Sequence, residues 1–237
     1  DAVAEFDEFI AALFSAAKVQ HLSVDTLNHE NGAAQFEVNF SHGDALSLAD
    51  QVFAFKRTVR EVAHQHGIYA TFMAKPMEHE PGSAMHIHQS IVSADTQRNI
   101  FVDEHGQHTA EFYAFIGGLQ HYTPALISLY APNVNSYRRL APHISAPISM
   151  NWGFDNRTTA FRVPRSEPAA TRVENRFPGA DVNPYLAVAA SLASGYLGMQ
   201  GNLSPSDPHA GTANEGAIEV ARSLEEGLRG LASQQAL

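Results

Sequence analysis

The stretch RVENRFPGADVNPYLAVAASLASGYLG, residues 172–198, combines a charged strand pattern with an apolar helix pattern. In its first part Arg172, Glu174 and Arg176 are spaced two apart, so in a strand their side chains would share one face. Farther on, Pro184–Leu197 is rich in alanine and apolar on every side, which predicts a buried helix. The stretch therefore predicts a charged strand face followed by a helix in the core.

The rest of the chain alternates helical periodicity with groups of strand-like segments. Asp44 is a typical N-cap residue for a helix that runs to Gly67. The predicted order is a helix over Asp1–Lys18, two short strands within 21–40 joined near Asn31-Gly32, the helix to Gly67, a β-like Tyr69–Met73, a strand over 84–92, a helix over Glu111–Leu129, mostly strand over Ala146–Phe177, the buried helix, a loop over 201–214 and a helix over Glu215–Leu237. This order predicts one α+β domain.

The composition excludes several classes of protein. With 237 residues, 44% hydrophobic and 17% charged, the chain is typical of a folded domain rather than a disordered one. Its net charge of −10 and its lack of a Lys/Arg-rich run argue against nucleic acid as a partner. No apolar stretch reaches the roughly 20 residues that span a bilayer, so no membrane is expected either. The sequence has no cysteine, which excludes disulfides and thiolate zinc sites and fits a cytoplasmic protein.

Two pairs of residues are candidate metal ligands. His86 and His88 lie two apart in a predicted strand, so both imidazoles and the Ser90 hydroxyl can point into one cavity. Glu30 and Glu37 bracket the predicted turn, and two carboxylates that face each other repel unless a cation lies between them. Each pair alone is also explained without a metal, as histidines satisfied within a strand and as solvated surface glutamates.

Arginines form the third group of candidates. Arg157, Arg162, Arg172 and Arg176 lie in apolar, strand-forming sequence, and Arg139 follows Asn-Ser-Tyr-Arg. Because an unpaired guanidinium is costly to bury, these side chains predict anionic partners such as phosphate and carboxylate. The sequence lacks the common glycine-rich phosphate loops, which argues against Walker and Rossmann sites. A cation held by Glu and His and surrounded by arginines is typical of phosphoryl transfer.

Five segments together resemble the catalytic domain of the glutamine synthetase family. In the family's order they are HENGAAQFEVNF (29–40), ATFMAKPMEHEPGSAMHIHQS (70–90), NSYRRLAP (135–142), APISMNWGFDNRTTAFRVP (146–164) and RVENRFPGADVNPYLAVAA (172–190). The resemblance implies an α+β domain of the glutamine synthetase and guanido kinase type, with a curved antiparallel sheet flanked by helices. It also implies a ligase that uses ATP and a double site for Mg²⁺ or Mn²⁺.

The resemblance further implies a role for each candidate residue, with Arg157 and Arg139 as catalytic residues. The implied metal ligands are Glu30, Glu37, His86 and Glu174, the nucleotide contacts are His88, Ser90, Arg157, Arg162 and Arg172, and the glutamate contacts are Gly82, Arg139 and Arg176. In the implied reaction the γ-carboxylate of glutamate attacks the γ-phosphorus of ATP, and an amine then displaces phosphate from the acyl phosphate.

Two positions depart from the glutamine synthetases that use ammonia. Ser145 stands where those enzymes carry a glutamate of the ammonium site, and Pro81 stands where they have an asparagine before the glutamate-site glycine. A neutral Ser145 offers no carboxylate to attract ammonium or take its proton. The sequence also resembles the γ-glutamylputrescine and γ-glutamylpolyamine synthetase branch. We therefore expect putrescine or another organic amine as the acceptor.

Three alternatives stay open: ammonia as the acceptor, a non-catalytic relative with a structural or regulatory role, and a zinc hydrolase built on His86 and His88. The zinc interpretation is disfavoured because catalytic zinc prefers three protein ligands, and no further His lies at ligand spacing. A non-catalytic protein would have no need to keep the costly cluster of glutamates, histidines and arginines.

The resemblance also implies an assembly of several chains. Family members form homo-oligomers of stacked rings, expected here as a dodecamer, in which a neighbour's N-terminal domain completes each active site. We therefore expect residues 1–237 to be a partial C-terminal catalytic domain, with the N-terminal domain and the strand that carries the first metal ligands lying before Asp1. The segment alone is expected to be inactive.

Overall fold

Helices and short strands alternate along the chain. The structure, a computed structural model, describes residues 2–142, 146–213 and 218–234. Its helices are α1 (Ala2–Glu5), α2 (Asp7–Val19), α3 (Ala45–Gln65), α4 (Ala110–Tyr130), α5 (Pro184–Gln200) and α6 (Leu224–Ser233), its strands are β1 (Val24–His29), β2 (Phe36–Phe40), β3 (Ile87–Gln89), β4 (Trp152–Phe154), β5 (Phe161–Val163) and β6 (Val173–Asn175), and 3-10 segments lie at Val134–Arg138 and Pro168–Ala170. The predicted α+β class is confirmed.

Capping residues fix where the long helices begin. Asp44 accepts a hydrogen bond from the Ser47 amide at 2.9 Å and starts α3, as predicted. Asn183 caps α5 in the same way, and Pro184 follows at a position where the missing amide hydrogen costs nothing. Ser223 caps α6, so the predicted terminal helix begins later than Glu215 among the described residues. Residues 215–217 and 235–237 of that prediction lie outside the described part of the chain.

The first sheet is the predicted hairpin. β1 and β2 pair antiparallel, and the turn between them contains Asn31-Gly32. Its apolar side chains pack, together with α2, against α3, where Phe55, Val59 and Val62 are buried. The hairpin, α2 and α3 therefore share a small hydrophobic core.

The second sheet has the strand order β3-β6-β5-β4. β6 pairs antiparallel with β3 and with β5, as predicted, whereas β4 and β5 run parallel. The prediction of an antiparallel sheet is therefore corrected to a mixed sheet. The reason lies in the connection 155–160: Asp155 has a φ of 49°, and the Ala160 amide donates to the Asn151 carbonyl at 2.9 Å. The chain thus returns to the beginning of β4 before β5 starts.

Two predicted strand regions are much shorter in the structure. The range 84–92 contains only β3, flanked by single bridges at Ala84 and Val92. The range Ala146–Phe177 contains β4, β5 and β6, each three residues long, with turns and a 3-10 segment between them. Strand propensity is high in both ranges, but the turns limit how far the backbones can pair.

The predicted strand at Tyr69–Met73 is wrong, because these described residues belong to no strand. Ala70 and Phe72 pack against the core of the hairpin and α3, whereas Tyr69 is 91% exposed. The Arg60 guanidinium of α3 lies over the Phe72 ring at 5.0 Å. The alternation therefore reflects packing against a helix, without a neighbouring strand.

The main core lies where α4 and α5 pack together beside the second sheet. The two helices meet at glycines: a Cβ added at Gly118 would lie 2.1 Å from the Ser194 carbonyl oxygen and 2.7 Å from the Gly198 Cα. Their backbones are therefore in direct contact. Within the described ranges no helix combines the length and apolar character needed to cross a membrane.

Gly118→Ala should lower the free energy of unfolding by about 3 kcal/mol, because its methyl group would meet main-chain atoms that cannot rotate away. Gly230→Ala in α6 is the matched control. Its methyl group would come no nearer than 3.6 Å to other atoms, so the change should be neutral or stabilising by up to about 1 kcal/mol. Urea unfolding of both variants measures the difference. Equal stabilities would contradict the close packing of α4 and α5.

Candidate active site

Glu174 lies at the centre of the four-stranded sheet. It is in β6, directly opposite His88 of β3 on one side and Arg162 of β5 on the other. Because directly opposed residues on neighbouring strands point to the same face, these three side chains meet on one side of the sheet. Glu174 is only 2% exposed, so its carboxylate depends on protein groups to replace water.

Two guanidinium groups and one imidazole surround the Glu174 carboxylate. Arg162 donates from Nη1 to Oε2 at 2.8 Å, and Arg176 donates from Nη1 to Oε1 at 2.5 Å. His86 Nδ1 lies 3.3 Å from Oε1. Arg162 also donates from Nη2 to Asp155 Oδ1 at 2.6 Å, so it joins a buried carboxylate to an exposed one.

These contacts set the protonation states at the centre of the site. Burial alone would raise the pKa of Glu174, but the positive charge of Arg176 and the hydrogen bond from Arg162 outweigh it and lower the pKa to about 2. Burial, together with the charge of Arg176, lowers the pKa of His86 to about 3. At neutral pH the carboxylate is ionised and the imidazole is neutral, which is the state that metal ligands require. The donor pair therefore fits a divalent cation in its chemistry.

His88 and Ser90 lie on the exposed side of their strand. Gln89 between them is buried, so the chain alternates as the sequence predicts. Arg172 donates from Nε to His88 Nδ1 at 3.2 Å, and the protein atoms that displace water from part of the ring, together with the charge of Arg172, lower the pKa of His88. The structure thus brings the predicted nucleotide contacts His88 and Arg172 together.

A second group joins Gly82, Arg139 and Arg176. Arg139 is 4% exposed and donates from Nη1 to the Phe177 carbonyl at 2.7 Å and from Nη2 to the Arg176 carbonyl at 2.9 Å. A Cβ added at Gly82 would lie 2.9 Å from Cγ of Arg139, so a side chain there would collide with it. Burial and the charge of Arg176 lower the pKa of Arg139 to about 10, which leaves it cationic at neutral pH. The three predicted glutamate contacts therefore lie side by side.

Arg157 and Arg162 line an open cavity of about 670 Å³ at the β4 edge of the sheet. Its other lining residues are Phe154, Asp155, Asn156, His209, Ala210 and Gly211. Asn156 Nδ2 donates to the Gly211 carbonyl at 2.8 Å, which fixes this loop across the cavity. The space and the two cations suit a polyphosphate ligand.

The hairpin that carries Glu30 and Glu37 contacts the Gly82 segment through two other residues. Gln35, between them in sequence, donates from Nε2 to the Gly82 carbonyl at 3.0 Å, and the Ala33 amide donates to Glu80 Oε2 at 3.0 Å. Glu37 Oε1 itself accepts a hydrogen bond from Asn39. The tip of the hairpin is thus fixed to the segment that leads into β3.

The predicted metal ligands are only partly assembled. His86 and Glu174 are in contact, but within residues 2–142, 146–213 and 218–234 no three His, Asp or Glu side chains come close enough to hold one ion. A shared site with Glu30 and Glu37 therefore stays a prediction. Ser145, on which the choice of acceptor depends, lies outside the described residues.

Positive charge exceeds negative charge around Glu174. Arg139, Arg162, Arg172 and Arg176 lie around Glu174, and the only other carboxylates described beside them are Asp155 at Arg162 and Asp181 near Arg139. The Nε atoms of Arg162 and Arg176 are buried without a hydrogen-bond partner among the described residues. An anion bound beside these arginines would offset part of that charge. The arrangement therefore favours anionic substrates.

Three side chains of the site escaped the interpretation of the sequence. Gln35 and Glu80 join the hairpin to the Gly82 segment, and His209 lines the cavity. Each lies in a segment whose partner is distant in the sequence. Gln35 offers the strongest signal, since it lies between the two predicted metal ligands Glu30 and Glu37.

Comparison with known proteins gives a consistent result. A family described as "Glutamine synthetase, catalytic domain" matches residues 1–237. A glutamate–isopropylamine ligase from Pseudomonas sp. is 41% identical over 86% of this chain and 45% of its own length. A glutamine synthetase from Pyrococcus horikoshii is 42% identical over 78% of this chain and 41% of its own length. The chain thus spans somewhat less than half of these curated relatives.

Solved structures show the same similarity. The GmaS/ADP complex superimposes with a TM-score of 0.89 at 32% identity, and the match covers 100% of this chain and 57% of the GmaS chain. A structure of GmaS without ligand also gives a TM-score of 0.89, at 33% identity, and covers 100% of this chain and 56% of its own. The fold of the candidate site therefore matches that of a nucleotide-bound relative.

Glu174→Gln should lower the free energy of unfolding by about 3–5 kcal/mol, because the buried Arg176 would lose its carboxylate partner and Arg162 would keep only the exposed Asp155. The control is Glu225→Gln, which removes the exposed partner of Arg229 within α6 and should change the stability by less than about 0.5 kcal/mol. Chemical denaturation of both variants at neutral pH measures the two effects. Small decreases of similar size in both variants would contradict a large contribution of the Glu174 ion pairs to stability.

Proposed function

The chain belongs to the glutamine synthetase family through its catalytic domain, and from this we propose that it is part of an ATP-dependent ligase that joins the γ-carboxyl of glutamate to an amine. The observation that carries the proposal is the excess of arginines on one face of the sheet, with Arg162 and Arg176 on Glu174. Arg139, beside Gly82, adds a third cation. A phosphoryl group and a carboxylate substrate together would match these charges.

The proposed reaction has two steps. A γ-carboxylate oxygen of glutamate bonds to the γ-phosphorus of ATP, the bond to the bridging oxygen breaks, and ADP leaves. The amine nitrogen then attacks the carbonyl carbon of the acyl phosphate, inorganic phosphate leaves with the bonding electrons, and the nitrogen loses a proton. Because water would destroy the acyl phosphate, the site has to exclude it.

We assign the transferring phosphoryl group to Arg157 and Arg162. Both line the same cavity, so their guanidinium groups can offset the charge on the phosphoryl oxygens as it develops. Arg162 is held between Asp155 and Glu174, which orients its fork before any ligand arrives. We assign the remaining contacts to the nucleotide to His88, Ser90 and Arg172.

We assign glutamate to Gly82, Arg139 and Arg176. Gly82 leaves room for Arg139, and the cationic Arg139 and Arg176 suit the carboxylates of this substrate. Glu30, Glu37, His86 and Glu174 are the proposed ligands for Mg²⁺ or Mn²⁺, with the ionised Glu174 and the neutral His86 as the pair in contact. Such an ion, when bound, withdraws charge from phosphate oxygens.

For the acceptor we propose an organic amine, putrescine or another. Ser145 replaces a glutamate of the ammonium site, and one of the relatives is named for isopropylamine. Ammonia is the second candidate, because other relatives of similar identity are named glutamine synthetases. We further propose that the whole protein works as a homo-oligomer of stacked rings, a dodecamer, with each site completed by a neighbour.

An amine screen tests the proposed function. The full-length protein, with ATP, glutamate and Mg²⁺, should release phosphate with isopropylamine, ethanolamine or putrescine at a kcat/KM at least about tenfold above that for ammonium. Turnover with ammonium and with none of the organic amines would overturn the choice of acceptor. Failure to bind ATP in the presence of Mg²⁺ would favour a non-catalytic protein.

Arg157→Ala should lower kcat by about 100-fold with little change in the KM for glutamate, because it removes a cation from the phosphoryl cavity and leaves the Gly82 group intact. Arg165→Ala is the matched control, since Arg165 is exposed two residues beyond β5 and does not line the cavity. Steady-state kinetics of both variants measure the effect. Equal kcat values would remove Arg157 from the mechanism.

A further inference from the structure

Asp181 connects the segment after β6 to the 3-10 segment Val134–Arg138. Its Oδ2 accepts hydrogen bonds from the Ser136 hydroxyl at 2.6 Å and from Asn133 Nδ2 at 3.0 Å. Ser136 Oγ in turn accepts from the Asn133 amide at 3.0 Å. One carboxylate oxygen therefore holds both ends of the first turn of this segment.

Arg139 directly follows the same 3-10 segment, and its amide donates to the Ser136 carbonyl at 3.1 Å. The Arg139 guanidinium reaches back to the carbonyls of Arg176 and Phe177. The segments 133–139 and 176–181 are thus joined at two points, by Arg139 at one end and by Asp181 at the other. With both contacts in place, the direction of the Arg139 side chain is fixed.

The orientation of the Asp181 carboxylate is itself restricted. Lys56 Nζ donates to the carbonyls of Ala180 and Val182, at 2.7 and 3.0 Å, and so holds the backbone on both sides of Asp181. A Cβ added at Gly179 would lie 2.5 Å from Asp181 Oδ1, so the carboxylate occupies space that only glycine leaves open. Oδ1 is buried and has no hydrogen-bond partner among the described residues, and the cations that interact with the Asp181 carboxylate are Lys56 and Arg139.

The Asp181 charge acts on the guanidinium of Arg139. Asp181 raises the pKa of Arg139, which burial and Arg176 lower, and thereby favours the charged guanidinium. The 3-10 segment also contacts the loop that leads to Gly82. The Lys75 amide donates to Asn135 Oδ1, and Asn135 Nδ2 donates to the Lys75 carbonyl, both at 2.9 Å. A shift of this segment would therefore be felt by both Arg139 and the loop before Gly82.

We propose that Asp181 is a positioning residue for glutamate, which fixes Arg139 through Ser136 and Asn133. The proposal rests on the proposed function, since it takes glutamate as the ligand of Arg139. Asp181 need not touch the substrate. Its loss should weaken glutamate binding and leave ATP binding unchanged, because the cavity of Arg157 and Arg162 is lined by other segments.

The test compares three variants of the full-length enzyme: Asp181→Asn, Ser136→Ala and the control Asp95→Asn, an exposed residue of the 93–97 turn. Asp181→Asn should raise the KM for glutamate about tenfold, the size expected for losing a hydrogen bond to a charged group, and Ser136→Ala should raise it by a smaller factor. The KM for ATP should stay within about twofold in both. Asp95→Asn should match the parent enzyme in both constants.

Each outcome decides the proposal. An unchanged KM for glutamate in folded Asp181→Asn, or equal rises in both KM values, would overturn it. If Asp181→Asn does not fold, Ser136→Ala alone decides by the same criterion, since it removes one side-chain oxygen and keeps the carboxylate. A parent enzyme that shows no glutamate-dependent phosphate release would instead contradict the proposed function, which separates the two failures.

Discussion

A carboxylate that is almost fully removed from water needs compensating charge, and at Glu174 that charge comes from Arg162 on the neighbouring strand and from Arg176 two residues farther along the chain. The pairing also constrains the sheet. Arg162 lies directly opposite Glu174, and a slip of β5 by one residue would turn Arg162 to the other face and leave the carboxylate short of a partner. The register of β5 and β6 is therefore tied to this ion pair.

Features of the fold that depend on residues close together in the chain could be predicted from the sequence. Asp44 and the stretch around Pro184 marked helix starts because capping involves residues only two or three positions apart. The alternation at 86–90 placed His88 and Ser90 on one face because strand geometry has a period of two. Gly82 could be named only through the resemblance to the glutamine synthetase family, and the role of Arg139 came from the same source.

Features that depend on residues far apart in the chain could not be predicted from the sequence. The alternation at 69–73 looks the same whether a strand or a helix lies alongside, and only the fold shows that the neighbour is α3. The parallel pairing of β4 with β5 arises from the 155–160 connection, which carries no regular pattern. Gln35 and Asp181 are ordinary polar residues in sequence, and their contacts lie about 45 residues or more away along the chain.

The backbone contact between α4 and α5 limits how this domain can diverge. Gly118 and Gly198 face each other, and a Cβ added at Gly198 would lie 2.5 Å from the Gly118 Cα. Because glycine is already the smallest residue, a larger side chain at one position cannot be offset by a smaller one at the other. The helices could accommodate a larger residue only by moving apart. Asn175 of β6 donates to Ser191 of α5 at 3.0 Å, so such a movement would pull on the strand that carries Glu174. Substitutions are therefore expected to be tolerated more readily in the surface loops of this domain than along the contact between α4 and α5.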